Sequence, residues 1–185
     1  DIADLDALPE ATTEATVTSD VGSYAIGLGS GGDNNYEYVV TEGILEICKA
    51  PLSGQADDVA KTYGEPNPEL TCSYTGFKND DDASDLDTLP DLATTADETS
   101  PVGEYPVSVT AYEDNNYEIT YQGGTLSVEQ AFLNATVEDV VRYEGEENPE
   151  FVIVYSGFVN NDSSAVIDEA PAATCIADVS SAPGS

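Results

Sequence analysis

Asn115-Asn116-Tyr117-Glu118-Ile119-Thr120-Tyr121-Gln122-Gly123-Gly124-Thr125-Leu126-Ser127-Val128 alternates apolar and polar residues on both sides of a double glycine. Successive side chains of a strand leave on opposite faces, so period-two alternation rich in β-branched and aromatic residues predicts two strands here. Gln122-Gly123-Gly124 between them reads as a tight hairpin connection, with glycine supplying positive φ. Asp114-Asn115-Asn116 ahead of them reads as a turn, because Asp caps its own backbone and Asn tolerates the left-handed region. Glu69–Tyr74 and Tyr105–Ala111 carry the same alternation and are expected to be strands too. Only Ala83–Leu89, with Leu86 and Leu89 three apart, suggests a helical turn.

The pattern recurs. Asn34-Asn35-Tyr36-Glu37 returns as Asn115-Asn116-Tyr117-Glu118, Gly64-Glu65-Pro66-Asn67-Pro68-Glu69 as Gly145-Glu146-Glu147-Asn148-Pro149-Glu150, and Tyr74-Thr75-Gly76-Phe77 as Tyr155-Ser156-Gly157-Phe158. Every pair lies 81 positions apart, with no insertion or deletion, and Pro9, Pro90 and Pro171 share one place. Fixed-period self-similarity is the mark of a repeat architecture. The expected division is a C-terminal part of a first repeat over 1–49, a complete repeat over 50–130 and an N-terminal part of a third over 131–185. A third repeat of that kind is one that a neighbouring chain could complete. The expected fold is mainly β: tandem small β domains, Ig-like sandwiches or β-grasp-like sheets, with a period of about 81 residues.

Composition excludes several functions. Against 37 acidic residues stand four cations, Lys49, Lys61, Lys78 and Arg142, so the formal charge is −33. Such a surface repels nucleic-acid phosphates and anionic lipid, which argues against nucleic acid as a partner. No run approaches the ~20 apolar residues that cross a bilayer as a helix, so membrane insertion is not expected. With no His there is no Ser-His-Asp or Cys-His set, no catalytic residue to assign and no enzyme activity to expect.

The blocks Lys61-Thr62-Tyr63-Gly64-Glu65-Pro66-Asn67-Pro68, Tyr74-Thr75-Gly76-Phe77-Lys78-Asn79-Asp80, Pro101-Val102-Gly103-Glu104-Tyr105-Pro106-Val107, Asn115–Tyr121 and Gly124–Val128 stand in that order through the central repeat. In them the chain resembles the MBG domains found in tandem arrays on bacterial surface adhesins and giant secreted proteins. The resemblance implies an extracellular or cell-surface module with a stalk or adhesive role, and it brings no catalytic residues. The third repeat departs from the pattern at Arg142-Tyr143-Glu144-Gly145, which stands in place of Lys61-Thr62-Tyr63-Gly64.

Several residues invite a site assignment. Asn134-Ala135-Thr136 and Asn161-Asp162-Ser163 fit the acceptor pattern for N-linked glycans, at Asn134 and Asn161. Asp80, Asp81 and Asp82, followed by Asp85 and Asp87, gather hard oxygen ligands suited to Ca²⁺, although their spacing is not that of an EF-hand loop. No other cofactor is expected. Cys48 and Cys72 are candidates for a disulfide across the junction of the first two repeats, which leaves Cys175 as a free or intermolecular thiol.

The function expected from these features is structural: a subunit or segment of an extracellular fibre or adhesin shaft. Its partners would be copies of itself, joined head to tail by strand complementation. The alternative is a glycan- or surface-binding adhesin module, which would need exposed aromatic platforms beside polar groups.

Overall fold

The computed structural model describes residues 7–182. Among them there is no α-helix; twelve strands and two 3-10 turns carry the fold. In chain order the strands are β1 (Ala11–Thr12), β2 (Gly22–Leu28), β3 (Gly43–Ile47), β4 (Ala50–Ala56), β5 (Val59–Thr62), β6 (Cys72–Thr75), β7 (Asp91–Thr94), β8 (Gly103–Thr110), β9 (Tyr117–Gln122), β10 (Gly124–Glu129), β11 (Asn134–Val137) and β12 (Ile153–Ser156). They form four sheets, ordered β1-β2-β3, β6-β4-β9, β5-β10-β8-β7 and β11-β12. The mainly β reading of the sequence therefore holds.

The chain forms two compact units, which divide it differently from the 81-residue repeat. The first comprises residues 1–57, 70–93 and 107–124, and the second 58–69, 94–106 and 125–185. Each unit thus gathers one flanking repeat together with a share of the central one.

In the first unit, β4 is the middle strand of its sheet. It pairs with β6 antiparallel and with β9 parallel, Leu52 opposite Ile119 and Gly54 opposite Tyr121. Alternation along β4 buries Leu52, Gly54 and Ala56 and exposes Pro51, Ser53 and Gln55. Leu52, Leu86 and Tyr117 form a buried cluster, against which Tyr74, Phe77 and Ile119 pack. Phe77 meets Tyr117 edge-on at 5.5 Å, and Tyr74 meets Tyr121 edge-on at 6.3 Å; both arrangements suit the aromatic quadrupole. The expected helical turn is a 3-10 turn, Ala83–Asp85, closed by a reciprocal cap between Asp82 and Asp85.

The double glycine is not a hairpin turn. β9 belongs to one sheet and β10 to another, so Gln122-Gly123-Gly124 carries the chain between sheets. Glycine is required there for room. A Cβ at Gly123 would lie 2.7 Å from the Val107 carbonyl oxygen, and one at Gly124 would lie 2.5 Å from that of Ala56. Neither glycine is among the residues with positive φ.

In the second unit, β10 pairs with β5 in parallel, Leu126 opposite Val59 and Val128 opposite Lys61. Leu126 is fully buried and Val128 nearly so. β11 pairs with β12 antiparallel, Asn134 opposite Ser156, which repeats the register of Ser53 opposite Thr75 in β4 and β6.

Candidate interface between repeats

Each compact unit contains one junction between successive repeats. In the first, the Asp114-Asn115-Asn116 turn is the organising element. Asp114 is 6 % exposed; its carboxylate accepts from the N–H groups of Asn116 (2.8 Å), Tyr117 (2.8 Å) and Asp87 (3.0 Å). Burial, the largest single influence, pushes its carboxyl up. The three N–H donors and the nearby Lys49 ammonium together outweigh it and leave the group below the usual carboxylate range. Lys49 Nζ donates to the Asp114 carbonyl (2.5 Å), and Asn116 Oδ1 accepts from Val21 N–H of the first repeat (3.0 Å). The expected turn is present, but its left-handed residues are elsewhere: Asn79, Asp80, Asn160 and Asn161 have φ between 52° and 65°.

Tyr117 follows directly and plugs the core of the central repeat. Its hydroxyl accepts from Lys78 N–H (3.0 Å) and donates to Asp81 Oδ2 (2.5 Å). Burial, then the carboxylate it binds, hold this phenol above its ordinary value.

The junction in the second unit uses other groups. Tyr63 donates to Asp162 Oδ2 (3.0 Å), Asn160 Nδ2 donates to the Glu98 carbonyl (3.0 Å), and Gly64 packs so tightly that a Cβ there would lie 2.5 Å from Val159. Beside these contacts lies an open groove of about 360 Å³, lined by Ala131, Leu133, Phe158, Asp162 and Ile167 among others. These five residues stand 81 positions after Ala50, Leu52, Phe77, Asp81 and Leu86, which surround Tyr117 in the central repeat.

The groove and the sheet edge beside it are open for one reason. Among the described residues, β11 and β12 form a two-stranded sheet, whereas β4 and β6 carry β9 on the other side of β4. Leu133 is accordingly 38 % exposed where Leu52 is 3 %. Phe132 is 93 % exposed, and Val141 95 %. The first repeat shows the converse. Tyr36–Thr41, equivalent to β9, lies in no strand, with Tyr36 70 % and Val39 95 % exposed. The Asp33 turn ahead of it is nevertheless formed, Asp33 Oδ1 accepting from Asn35 N–H (2.7 Å).

The unusual opening of the third repeat is built on the same plan as its counterpart. Lys61, 6 % exposed, donates to the carbonyls of Glu65 (3.0 Å) and Asp97 (2.5 Å), and Arg142 donates to those of Tyr143 (3.2 Å) and Asp178. Asn67 reaches the Ala96 carbonyl and Asn148 that of Ala177, each at 2.6 Å. Gly64 and Gly145 both have positive φ, at 88° and 82°. Thus Lys49, Lys61 and Arg142, three of the four cations in the sequence, bind backbone carbonyls.

The other sequence-derived candidates are scattered. Asp81 holds Tyr117, Asp82 and Asp85 cap each other's turn, Asp87 accepts from Asn115 N–H (2.8 Å), and Asp80 sits exposed in a left-handed turn. Among the described residues no three His, Cys, Asp or Glu converge on a point where an ion could bind. Cys48, Cys72 and Cys175 are all free thiols, the first and last exposed, and the pairing of Cys48 with Cys72 is not formed. Burial raises the Cys72 thiol above its ordinary value, making it a poor nucleophile. Asn134 and Asn161 are both exposed.

In the central repeat, sequence reasoning missed β4, β5 and the four-residue β7. Pro51, Gly54 and a run of polar residues hide the alternation of Ala50–Ala56, and β5 has only four residues. The parallel pairing of β4 and β5 is a non-local property, and the one available signal was the small or apolar residue at every second position, Leu52, Gly54 and Ala56, between polar Ser53 and Gln55.

Among the described residues no helix is long and apolar enough to cross a membrane. No curated protein and no solved structure matches the chain. The MBG domain (YGX type) family matches it three times, over residues 2–46, 52–127 and 133–185. The Tyr63-Gly64-Glu65 triplet, at the edge where Gly64 meets Val159, has the form that the family description names. MBG domains occur in surface proteins and form a structural, adhesin-type repeat family, not an enzyme family. Matched in tandem over nearly all of its length, the chain belongs to the MBG domain (YGX type) family.

Proposed function

We propose that this chain is a building block of an extracellular fibre or adhesin shaft that extends head to tail, each copy completing the sheets of the next. One observation carries the reading. In the central repeat, two strands of the front half, β4 and β5, take parallel partners from the back half, β9 and β10. The third repeat has front-half equivalents at Ala131–Val137 and Val140–Tyr143, and the first repeat has back-half equivalents at Tyr36–Thr41 and in β3. Both sets are solvent-facing: Ile44, Tyr143 and Val141 are 72 %, 82 % and 95 % exposed. Addition of a strand satisfies the free N–H and C=O groups of a sheet edge and covers its apolar side chains. A contact between two different surfaces of identical copies does not close on itself, so it propagates as a filament.

The charge of −33 suits such a material, because self-repulsion keeps neighbouring filaments apart until salt screens it. Asn134 and Asn161 fit N-linked glycans on an extracellular shaft, since both stand exposed. Negative-stain microscopy of the concentrated 185-residue chain tests the reading. Linear filaments that dissociate in denaturant without loss of covalent mass are expected; a chain that stays monomeric and folded contradicts it.

A further inference from the structure

Two side-chain exchanges between the repeats identify which strand fits the open edge. In the central repeat, Gly54 of β4 faces Tyr121 of β9; a Cβ at Gly54 would lie 2.6 Å from the Tyr121 ring and 3.3 Å from that of Tyr74. The ring leaves no room for any side chain but hydrogen. The third repeat has Ala135 in place of Gly54, and the first repeat has Val40 in place of Tyr121. The strand that has lost the ring and the edge that has gained a methyl belong to opposite ends of the same chain. The second aromatic ring of the strand has moved one pleat back, to Tyr38 in place of Ile119.

We propose that Tyr36–Thr41 of one chain seats beside β11 of a second copy in the register β9 takes beside β4, with Val40 against Ala135 as the pair that selects this strand. The proposal rests on the head-to-tail reading above and names its partner segment. By that register Tyr36 stands opposite Ala131, Tyr38 opposite Leu133 and Val40 opposite Ala135. Tyr36 then enters the 360 Å³ groove as Tyr117 enters the central core, where Asp162 takes the role of Asp81. The Ala131 N–H donates to the Asn35 carbonyl, as Ala50 N–H does to that of Asn116 (2.9 Å).

Two rearrangements accompany docking. Tyr38 gives up its exposed hydrogen bond to the Ala7 carbonyl (3.1 Å). The incoming chain also brings its own β1, paired to β2, so the equivalent Ala173–Thr174, which lies in no strand, gives way. Asn134 falls on the outward face, equivalent to exposed Ser53, so a glycan there leaves the edge accessible.

Sedimentation velocity over a concentration series of the 185-residue chain tests the pair. Val40→Tyr is expected to weaken association about tenfold or more, by forcing a ring against the Ala135 methyl. Adding Ala135→Gly in the same chain recreates the pair of Gly54 and Tyr121 and is expected to restore association to within about threefold of the wild type. Both positions are exposed in the single chain, and circular dichroism checks that each variant folds. A peptide spanning Asp33–Glu42 provides a readout independent of the variants: it should block assembly of the wild type, while a peptide spanning Asp114–Gly123 should act only on the Ala135→Gly chain. If the wild type assembles but Val40→Tyr leaves association unchanged, or Ala135→Gly fails to rescue it, the selecting pair is wrong and the head-to-tail reading stands. A wild type that is monomeric at every concentration, and that the Asp33–Glu42 peptide does not bind, overturns both.

Discussion

The sheet β6-β4-β9 and the sheet β12-β11 are built from equivalent residues in equivalent register, and they differ by one strand. With β9 in place, Leu52 is 3 % exposed and Tyr74 and Phe77 meet at 5.6 Å; without it, Leu133 is 38 % exposed and Tyr155 and Phe158 stand 6.3 Å apart. The local sequence is therefore sufficient to form the antiparallel pair. The parallel neighbour, contributed from 67 residues further along the chain, is what turns that pair into a core.

The comparison can be broken at its apolar centre first. Leu52→Ala should cost about 3–5 kcal/mol, because it opens a cavity among Leu86, Tyr117 and their neighbours. Leu133→Ala in the dilute chain should cost under about 1 kcal/mol, since the side chain is already partly solvated. Chemical denaturation of the two variants measures both, and equal losses would mean that the two sheets are equally consolidated.

The buried carboxylate gives the next largest effect. Asp114→Ala strands three N–H groups and should destabilise the central repeat by about 2–3 kcal/mol near neutral pH. Because the folded pKa is depressed, this contribution is present above the unfolded value near 3.8 and is lost as the pH falls through the lower folded value. The wild type should therefore lose stability in acid more steeply than Asp114→Ala, as denaturation midpoints between pH 5 and pH 2 will report.

Gly54→Ala should destabilise the central sheet by about 1–3 kcal/mol through overpacking against Tyr121. Tyr121→Val in the same chain should recover most of that loss, reproducing within one molecule the combination proposed for Ala135 and Val40 between copies. A double-mutant cycle by thermal melts gives the coupling. The smallest contrast is between the carbonyl-binding cations. Lys61→Met should cost about 1–2 kcal/mol and Arg142→Met under about 1 kcal/mol, since only Lys61 is buried.

Much of the fold was legible because alternation and the exact period survive in the sequence. β9, β10 and the Asp-Asn-Asn turn follow directly from Asp114–Val128, and the repeat follows from matches 81 positions apart such as Asn34–Glu37 with Asn115–Glu118. The misreading of Gly123-Gly124 has a plain cause. A glycine needed for close approach to the Val107 and Ala56 carbonyls and one needed for positive φ look the same in one dimension. The parallel partners of β4 and β5 were invisible, since nothing local records which distant strand lies alongside. Of the candidate interface, the exposure of Tyr36–Thr41 could not be read, because its sequence is that of a buried strand. Within the acidic run at Asp80–Asp87, read from the sequence as a set of hard oxygen ligands, Asp82 and Asp85 cap their own turn, Asp81 accepts from Tyr117 and Asp87 accepts from Asn115 N–H.

Hydrogen–deuterium exchange of the full 185-residue chain, dilute against concentrated, addresses the account most directly. Amides in Tyr36–Thr41 and in β11 should exchange rapidly in the dilute chain and gain protection together as concentration rises, approaching that of β9 and β4. Protection that does not change with concentration, or that rises in one segment without the other, would contradict strand exchange between copies.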